Sequence, residues 1–258
     1  MYIDTHAHLN DPDFKEKTNE TADDIAKKAF ENNVSLIFDI GTNEQVSINV
    51  AKTAAKHKNI YGSLAIHPSN VNEINDKTYE VFQKLIDEDV DGKIVGIGET
   101  GLDYHYDFTS PELQKEHFIK HLNLAQKNNK TVVVHSRSAF EDTYNILKKY
   151  KDLRIIIHCF TYGKKEMEKF VALGCYISFS GIATFNKNVE NIHEAIKSIP
   201  TNRILCETDS PLLAPVPFRG KINYPHYVKY VYDKINEIRN EDITEIITKN
   251  AKKAFNLD

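Results

Sequence analysis

A (β/α)8 barrel is the fold class this sequence predicts, and three observations predict it. Eight short apolar, β-branched-rich runs recur along the chain with amphipathic helical stretches between them, the pattern of repeated βα units. The length of 258 residues suits one such barrel, read as a single domain over 1–258. Five of the runs end in a residue able to bind a metal. A doubly wound open sheet would gather its ligands at one switch point, so this spread favours the closed barrel.

The runs are Tyr2 to Leu9, Val34 to Gly41, Ile60 to His67, Ile94 to Leu102, Thr131 to His135, Arg154 to Phe160, Cys175 to Ser180 and Arg203 to Thr208. Ser110-Pro111-Glu112 sets out an N-cap hydroxyl, a first-turn proline and an early acid, and Phe118, Leu122 and Ala125 follow at helical spacing. Asp242 and Glu245 read as a capping box ahead of a terminal helix carrying Ile246, Ile247, Ala251, Ala254 and Phe255. The Pro-dense stretch Pro211 to Pro217 reads as a loop over the mouth.

Composition narrows the function classes. No apolar run approaches the roughly 20 residues of a membrane helix, and Met1-Tyr2-Ile3-Asp4 carries no secretory signal, so a cytoplasmic location is expected. Cys159, Cys175 and Cys206 form no CxxC pair and read as buried, inert thiols. A net charge of -4 argues against a purely electrostatic nucleic-acid binder. Cations in a carboxylate-lined pocket would reverse the local sign, so a phosphate-bearing substrate stays compatible.

The chemistry lies in the strand ends. His6 and His8, one residue apart in an extended run, point to one face and can grip one ion together. His135 closes Thr131-Val132-Val133-Val134, His158 closes Ile155-Ile156-Ile157, and Asp209 follows Leu205-Cys206-Glu207-Thr208. Burying these groups without partners would cost several kcal/mol each by order of magnitude, whereas convergence on metal ions satisfies them together. Glu99, in Gly96-Ile97-Gly98-Glu99-Thr100-Gly101, has glycine neighbours that let backbone and metal approach closely. Its two oxygens can hold a pair of ions about 3.5–4 Å apart. A carbamylated lysine bridges the ions in some barrel hydrolases, but Lys93 lies at the wrong end of this strand. Tyr104, His105, Tyr106 and Phe108 fall in a mouth loop, where aromatics could stack on bases of a frayed strand end.

The chain resembles the TatD-type metal-dependent deoxyribonucleases, within the amidohydrolase-like barrels. The resemblance runs nearly end to end and rests on Ile3-Asp4-Thr5-His6-Ala7-His8-Leu9, Ile66-His67-Pro68 and Gly96 to Tyr104. It continues through Val134-His135-Ser136-Arg137, His158-Cys159-Phe160, Glu207-Thr208-Asp209-Ser210-Pro211, Phe218-Arg219-Gly220-Lys221 and Asn250 to Phe255. It implies that His6, His8, Glu99 and Asp209 bind one ion and that Glu99, His135 and His158 hold the other. It also implies phosphate contacts from His67, Arg137 and Arg219, and support by Glu207 for a nucleophilic water beside Asp209. Two stretches depart from the family pattern. Cys159-Phe160-Thr161-Tyr162-Gly163 stands where Ser-Phe-Ser-Gly is common, and Asn223 is followed by Tyr224 and Pro225 in place of Glu and Pro.

The expected activity is hydrolysis of DNA phosphodiesters at single-stranded or frayed ends, of the 3'-5' exonuclease type, with two divalent ions. Mixed nitrogen and oxygen ligands suit zinc, manganese or cobalt, with magnesium as an in vitro activator. Asp209 would orient the water and take its proton, Arg137 would grip phosphate, and His67 would donate to phosphate or leaving oxygen. The alternatives are amidohydrolase cleavage of a C–N or ester bond in a small molecule or aminoacyl ester, and a non-catalytic metal-binding barrel.

Overall fold

The computed structural model describes residues 1–75 and 77–257. Eight strands follow the expected runs: β1 (Tyr2–Ala7), β2 (Val34–Ile40), β3 (Ile60–Leu64), β4 (Ile94–Asp103), β5 (Thr131–Arg137), β6 (Ile155–Ile157), β7 (Tyr176–Phe179) and β8 (Ile204–Cys206). Each pairs in parallel with the next, in the order β1 to β8. This sequential order excludes the doubly wound alternative, whose strand order reverses. The barrel closes just past β8, where the Asp209 amide donates to His6 O at 2.9 Å and the His8 amide to Ser210 O at 2.8 Å. Asp4 reinforces the seam by accepting from the Thr208 amide and hydroxyl.

Helices α1 (Pro12–Thr18) and α2 (Ala22–Glu31) link β1 to β2. The chain then carries α3 (Glu44–Lys56), α4 (Thr78–Asp87), α5 (Pro111–Lys127), α6 (Phe140–Leu147), α7 (Lys164–Ala172) and α8 (Glu190–Ser198), with α9 (Val228–Arg239) and α10 (Thr244–Ala254) after β8. No helix among the described residues is long and apolar enough to cross a membrane. Ser110 caps α5 as its sequence indicates, its hydroxyl accepting from Leu113 N. The capping box expected at α10 does not form. Asp242 instead accepts from Thr244 N and Asn236 Nδ2, bracing the turn between α9 and α10.

Inside the barrel, Ile3, Phe38, Ile40, Val95, Val133, Ile156 and Leu205 form a closed apolar plug with Ala251, Ala254 and Phe255 of α10. Phe255 lies on Phe38 with ring centroids 3.7 Å apart. Polar groups at this floor are paired: Thr131 Oγ1 donates to Ala254 O, and Asn250 Nδ2 donates to Thr201 O and Ile204 O. Lys93 sits at this end too, its ammonium donating to the carbonyls of His57, Lys58 and Ile60. With the floor sealed, the open mouth is where buried polar side chains collect.

Candidate metal centre

Strand alternation delivers most of the site. Val133, Ile156 and Leu205 point into the plug, so His135, His158, Glu207 and Asp209, at even steps further along, face inward above it. In β1 and β4 the register against the neighbouring strand shifts between Asp4 and Ala7 and between Ile97 and Thr100. Such irregularities re-aim side chains, and they fall at His6 and Glu99. Gly98 and Gly101 make the β4 irregularity feasible. They have φ of 150° and 142°, and a Cβ there would stand 2.4 Å from Val133 O and 2.0 Å from His135 O. These glycines therefore bring β4 close to β5, and the approach they permit is between two backbones and not, as expected from their place beside Glu99, between backbone and metal.

Glu99 sits at the centre, 4% exposed. Its Oε2 lies 3.4 Å from His6 Nε2 and 3.5 Å from His8 Nε2, and Asp209 Oδ1 lies 3.6 and 3.3 Å from the same two nitrogens. His6 Nε2 and His8 Nε2 are 3.1 Å apart. Donors about 2.1 Å from an ion at tetrahedral angles stand about 3.4 Å from one another, so this spacing fits a divalent cation. The other oxygen, Oε1, lies 2.7 Å from both His135 Nδ1 and His158 Nε2, and 3.3 Å from His67 Nε2. Two donor groups thus share one carboxylate.

The far sides of the rings show which nitrogens can act as ligands. His8 Nδ1 donates to Ile40 O at 2.9 Å, His135 Nε2 to Asp103 Oδ2 at 2.9 Å, and His158 Nδ1 to Glu207 Oε1 at 3.2 Å. With these far-side protons in place, each ring in its neutral form would turn a lone pair toward an ion beside Glu99, the arrangement metal-binding histidines use; without a metal the same nitrogens of His135 and His158 donate to Glu99 Oε1 at 2.7 Å. His67 is reversed. Its Nδ1 accepts from the Ser69 amide at 3.2 Å, which leaves the proton on Nε2, facing the cavity as a donor. Burial holds His67 below its ordinary pKa and so in this neutral form.

Electrostatics reinforce the fit. Burial by itself would keep the carboxylates protonated, yet the surrounding histidines hold Glu99 well below the ordinary range and Asp209 below it as well. Burial lowers His8, but Asp209 and Glu99 outweigh it and push it up to about 9. Among the described residues, five buried side-chain atoms lack a hydrogen-bond partner, and His6 Nδ1, Glu207 Oε2 and Ser210 Oγ are at this mouth. Asp209 and Cys159 adopt left-handed φ of 57° and 43°, strain of the kind held at functional sites.

The cavity above has a volume of about 660 Å³ and is lined by His8, His67, Glu99, His135, His158 and Asp209, with Arg137, Tyr106 and Phe108 further out. His6 lies beneath it, fully buried and stacked on His158 with centroids 4.0 Å apart. Three expected participants are placed differently. The Tyr104 hydroxyl donates to Asp142 at 2.8 Å, and the Arg219 guanidinium lies 4.3 Å from the centroid of Phe185; neither lines the cavity. Glu207, fully buried, accepts from His158 and from the Cys159 amide, so its near oxygen orients a histidine. Cys175 and Cys206 are buried as expected, but Cys159 is partly accessible and lines the cavity.

Asp103 joins the site without having been expected there. Hydrogen bonds from His135 and from the His105 and Tyr106 amides outweigh its burial and hold it at about 2, a fixed anion behind His135. Its position four residues beyond Glu99 in one strand was the available signal. Tyr162 is a second unexpected participant: its hydroxyl accepts from the Ala139 amide and bonds Ser136 Oγ, bracing the turn that carries Arg137.

The model of TatD-related DNases matches residues 3–256, nearly the whole chain. The chain belongs to the TatD-related DNase family. Among the relatives of this TatD-family chain is the metal-dependent hydrolase YcfH of Escherichia coli (strain K12), 36% identical over 261 residues, covering 99% of this chain and 96% of that one. The metal-dependent hydrolase YabD of Bacillus subtilis (strain 168) is 35% identical over the full length of both. The crystal structure of YJJV, a TatD homolog from Escherichia coli K12, superposes with a TM-score of 0.91 at 26% identity, covering 100% of this chain and 98% of that chain. A TatD family hydrolase from Entamoeba histolytica, 21% identical, shares the fold with a TM-score of 0.84 over 99% of this chain and 97% of its own.

Proposed function

We propose that this TatD-family chain is a divalent-metal-dependent hydrolase of phosphodiester bonds in DNA, acting on single-stranded or frayed ends in the 3'-5' exonuclease manner. The observation that carries the reading is Glu99 dividing its two oxygens between two groups of lone-pair donors, with a guanidinium at the same cavity. His6, His8, Glu99 and Asp209 would hold one ion, and Glu99, His135 and His158 the other. Zinc, manganese, cobalt and magnesium are the candidates by donor type. Bound there, such ions supply a water acidified toward neutrality and counter-charge for phosphoryl oxygens.

The chain's own groups do the rest. Asp209, 8% exposed and beside both His6 and His8, orients the attacking water and accepts its proton. His67 presents Nε2–H to the leaving oxygen. Arg137 offers two parallel N–H groups to the phosphate, a geometry lysine lacks. Asp103 and Glu207 lock the rings of His135 and His158.

The test is incubation of the purified chain with magnesium or manganese and end-labelled single-stranded DNA. Release of mononucleotides from the 3' end is expected. If no divalent ion yields any, and a lactone or cyclic amide is hydrolysed instead, the amidohydrolase reading replaces this one.

A further inference from the structure

Exposed apolar side chains scattered singly on a surface need no explanation, but a cluster at a cavity does. Six large hydrophobic residues stand exposed among the described residues. Three of them, Tyr106, Phe108 and Leu212, line the cavity over Glu99 and Asp209. Tyr106 and Phe108 stack on each other with centroids 5.0 Å apart and planes 19° from parallel, and they are 47% and 63% exposed. The Arg137 guanidinium lies 5.0 Å from the Tyr106 centroid.

The loop that carries the two rings is tied at both ends. Asp103 Oδ1 accepts from the His105 and Tyr106 amides, while its Oδ2 accepts from His135. At the other end Thr109 Oγ1 donates to Pro68 O, and Gln114 Nε2 donates to Thr109 O. One carboxylate therefore fixes where the aromatic pair stands relative to a candidate metal ligand. Tyr104, at the root of the same loop, is turned aside to Asp142 and takes no part.

We propose that Tyr106 and Phe108 form a stacking subsite for one unpaired nucleobase, beside the phosphate held by Arg137. The proposal rests on the DNA reading above and deepens it. Every base has a π face, so the subsite tolerates any sequence; a base inside a duplex already has both faces covered and is refused. The neighbouring guanidinium favours a ligand that carries a phosphate next to its flat ring, which a nucleotide does and a lipid chain or aliphatic peptide does not.

The experiment compares a single-stranded oligonucleotide with one whose 3'-terminal residues are abasic, on the parent, Phe108→Ala, Tyr106→Ala, Phe108→Leu and Phe108→Trp, with thermal melting confirming the fold of each. On the ordinary strand Phe108→Ala and Tyr106→Ala should raise KM about tenfold to a hundredfold, the effect carried by KM more than kcat. Phe108→Leu should resemble Phe108→Ala, and Phe108→Trp should restore the parent KM. The abasic strand should show a raised KM with the parent and no further rise with the variants. A parent that cleaves both strands with one KM, or a leucine variant as good as the tryptophan one, overturns the stacking subsite and leaves the DNA reading standing. A parent that neither binds nor cleaves either strand with any divalent ion overturns both.

Discussion

The two ends of the barrel are built from the same eight strands and opposite chemistry. At the floor, Phe255 and Phe38 seal a plug of Ile, Val and Leu, and the polar groups nearby find partners within the chain. At the mouth, His6, His8, Glu99, His158, Glu207 and Asp209 are as deeply buried, yet His6 Nδ1 and Glu207 Oε2 stay unpaired. Burying apolar area stabilises the fold, whereas an unpaired buried polar atom costs roughly 1–3 kcal/mol. The floor thus offsets what the mouth costs, and substitutions at the two ends should separate stability from activity.

The largest effect belongs to Glu99→Gln. Removing the shared carboxylate should cut hydrolysis about 10⁴-fold, equivalent to about 5 kcal/mol in the barrier, and lower the bound metal per chain seen by elemental analysis. Cooperative unfolding should persist, because no floor contact involves Glu99. Loss of the cooperative transition together with activity would show that the mouth also carries the fold, and the contrast between the two ends would fail.

Phe255→Ala is the reciprocal change. It removes a fully buried ring from the plug and should cost about 3–5 kcal/mol by urea denaturation, with kcat at low temperature near that of the parent. A stable variant with depressed kcat would mean that the floor communicates with the mouth.

The same contrast explains what was legible in the sequence. Strands buried on both faces read as continuous runs such as Thr131-Val132-Val133-Val134 and Ile155-Ile156-Ile157, so the barrel and its register of strand ends could be read directly. Metal-binding residue types at those ends pointed to six residues that the fold brings together around Glu99. Partners that arrive from distant chain were not legible. Ile40 behind His8, Asp103 behind His135 and Glu207 behind His158 lie 32, 32 and 49 residues away, and these decide which nitrogen faces the cavity. Side-chain direction in loops was also hidden. Tyr104 and Tyr106 are two residues apart in one mouth loop, yet only Tyr106 lines the cavity, because Asp142 claims the Tyr104 hydroxyl.

The smallest of the three effects tests a histidine that belongs to neither end. His121 of α5 is fully buried in the barrel wall, its Nδ1 donating to His117 O and its Nε2 accepting from the Ile66 amide just before His67. Both nitrogens are engaged in the neutral ring, and burial pushes its pKa from the ordinary 6.5 down to about 4. The unfolded chain therefore takes up a proton near pH 6.5 that the folded chain refuses until about pH 4. The stabilisation is complete above pH 6.5 and is lost as the pH falls to about 4, roughly 3 kcal/mol in all. His8 at the mouth, pushed up to about 9, has the opposite sign in the metal-free chain: its contribution is complete below pH 6.5 and is lost as the pH rises through 9. Comparing parent and His121→Gln by urea denaturation in a chelator isolates the wall from the mouth, since both proteins share the mouth histidines. The parent should lose more stability than the variant between pH 7 and pH 4.5; equal losses would mean that His121 ionises in the folded chain as freely as in the unfolded one, and the mouth would then be the main source of acid sensitivity.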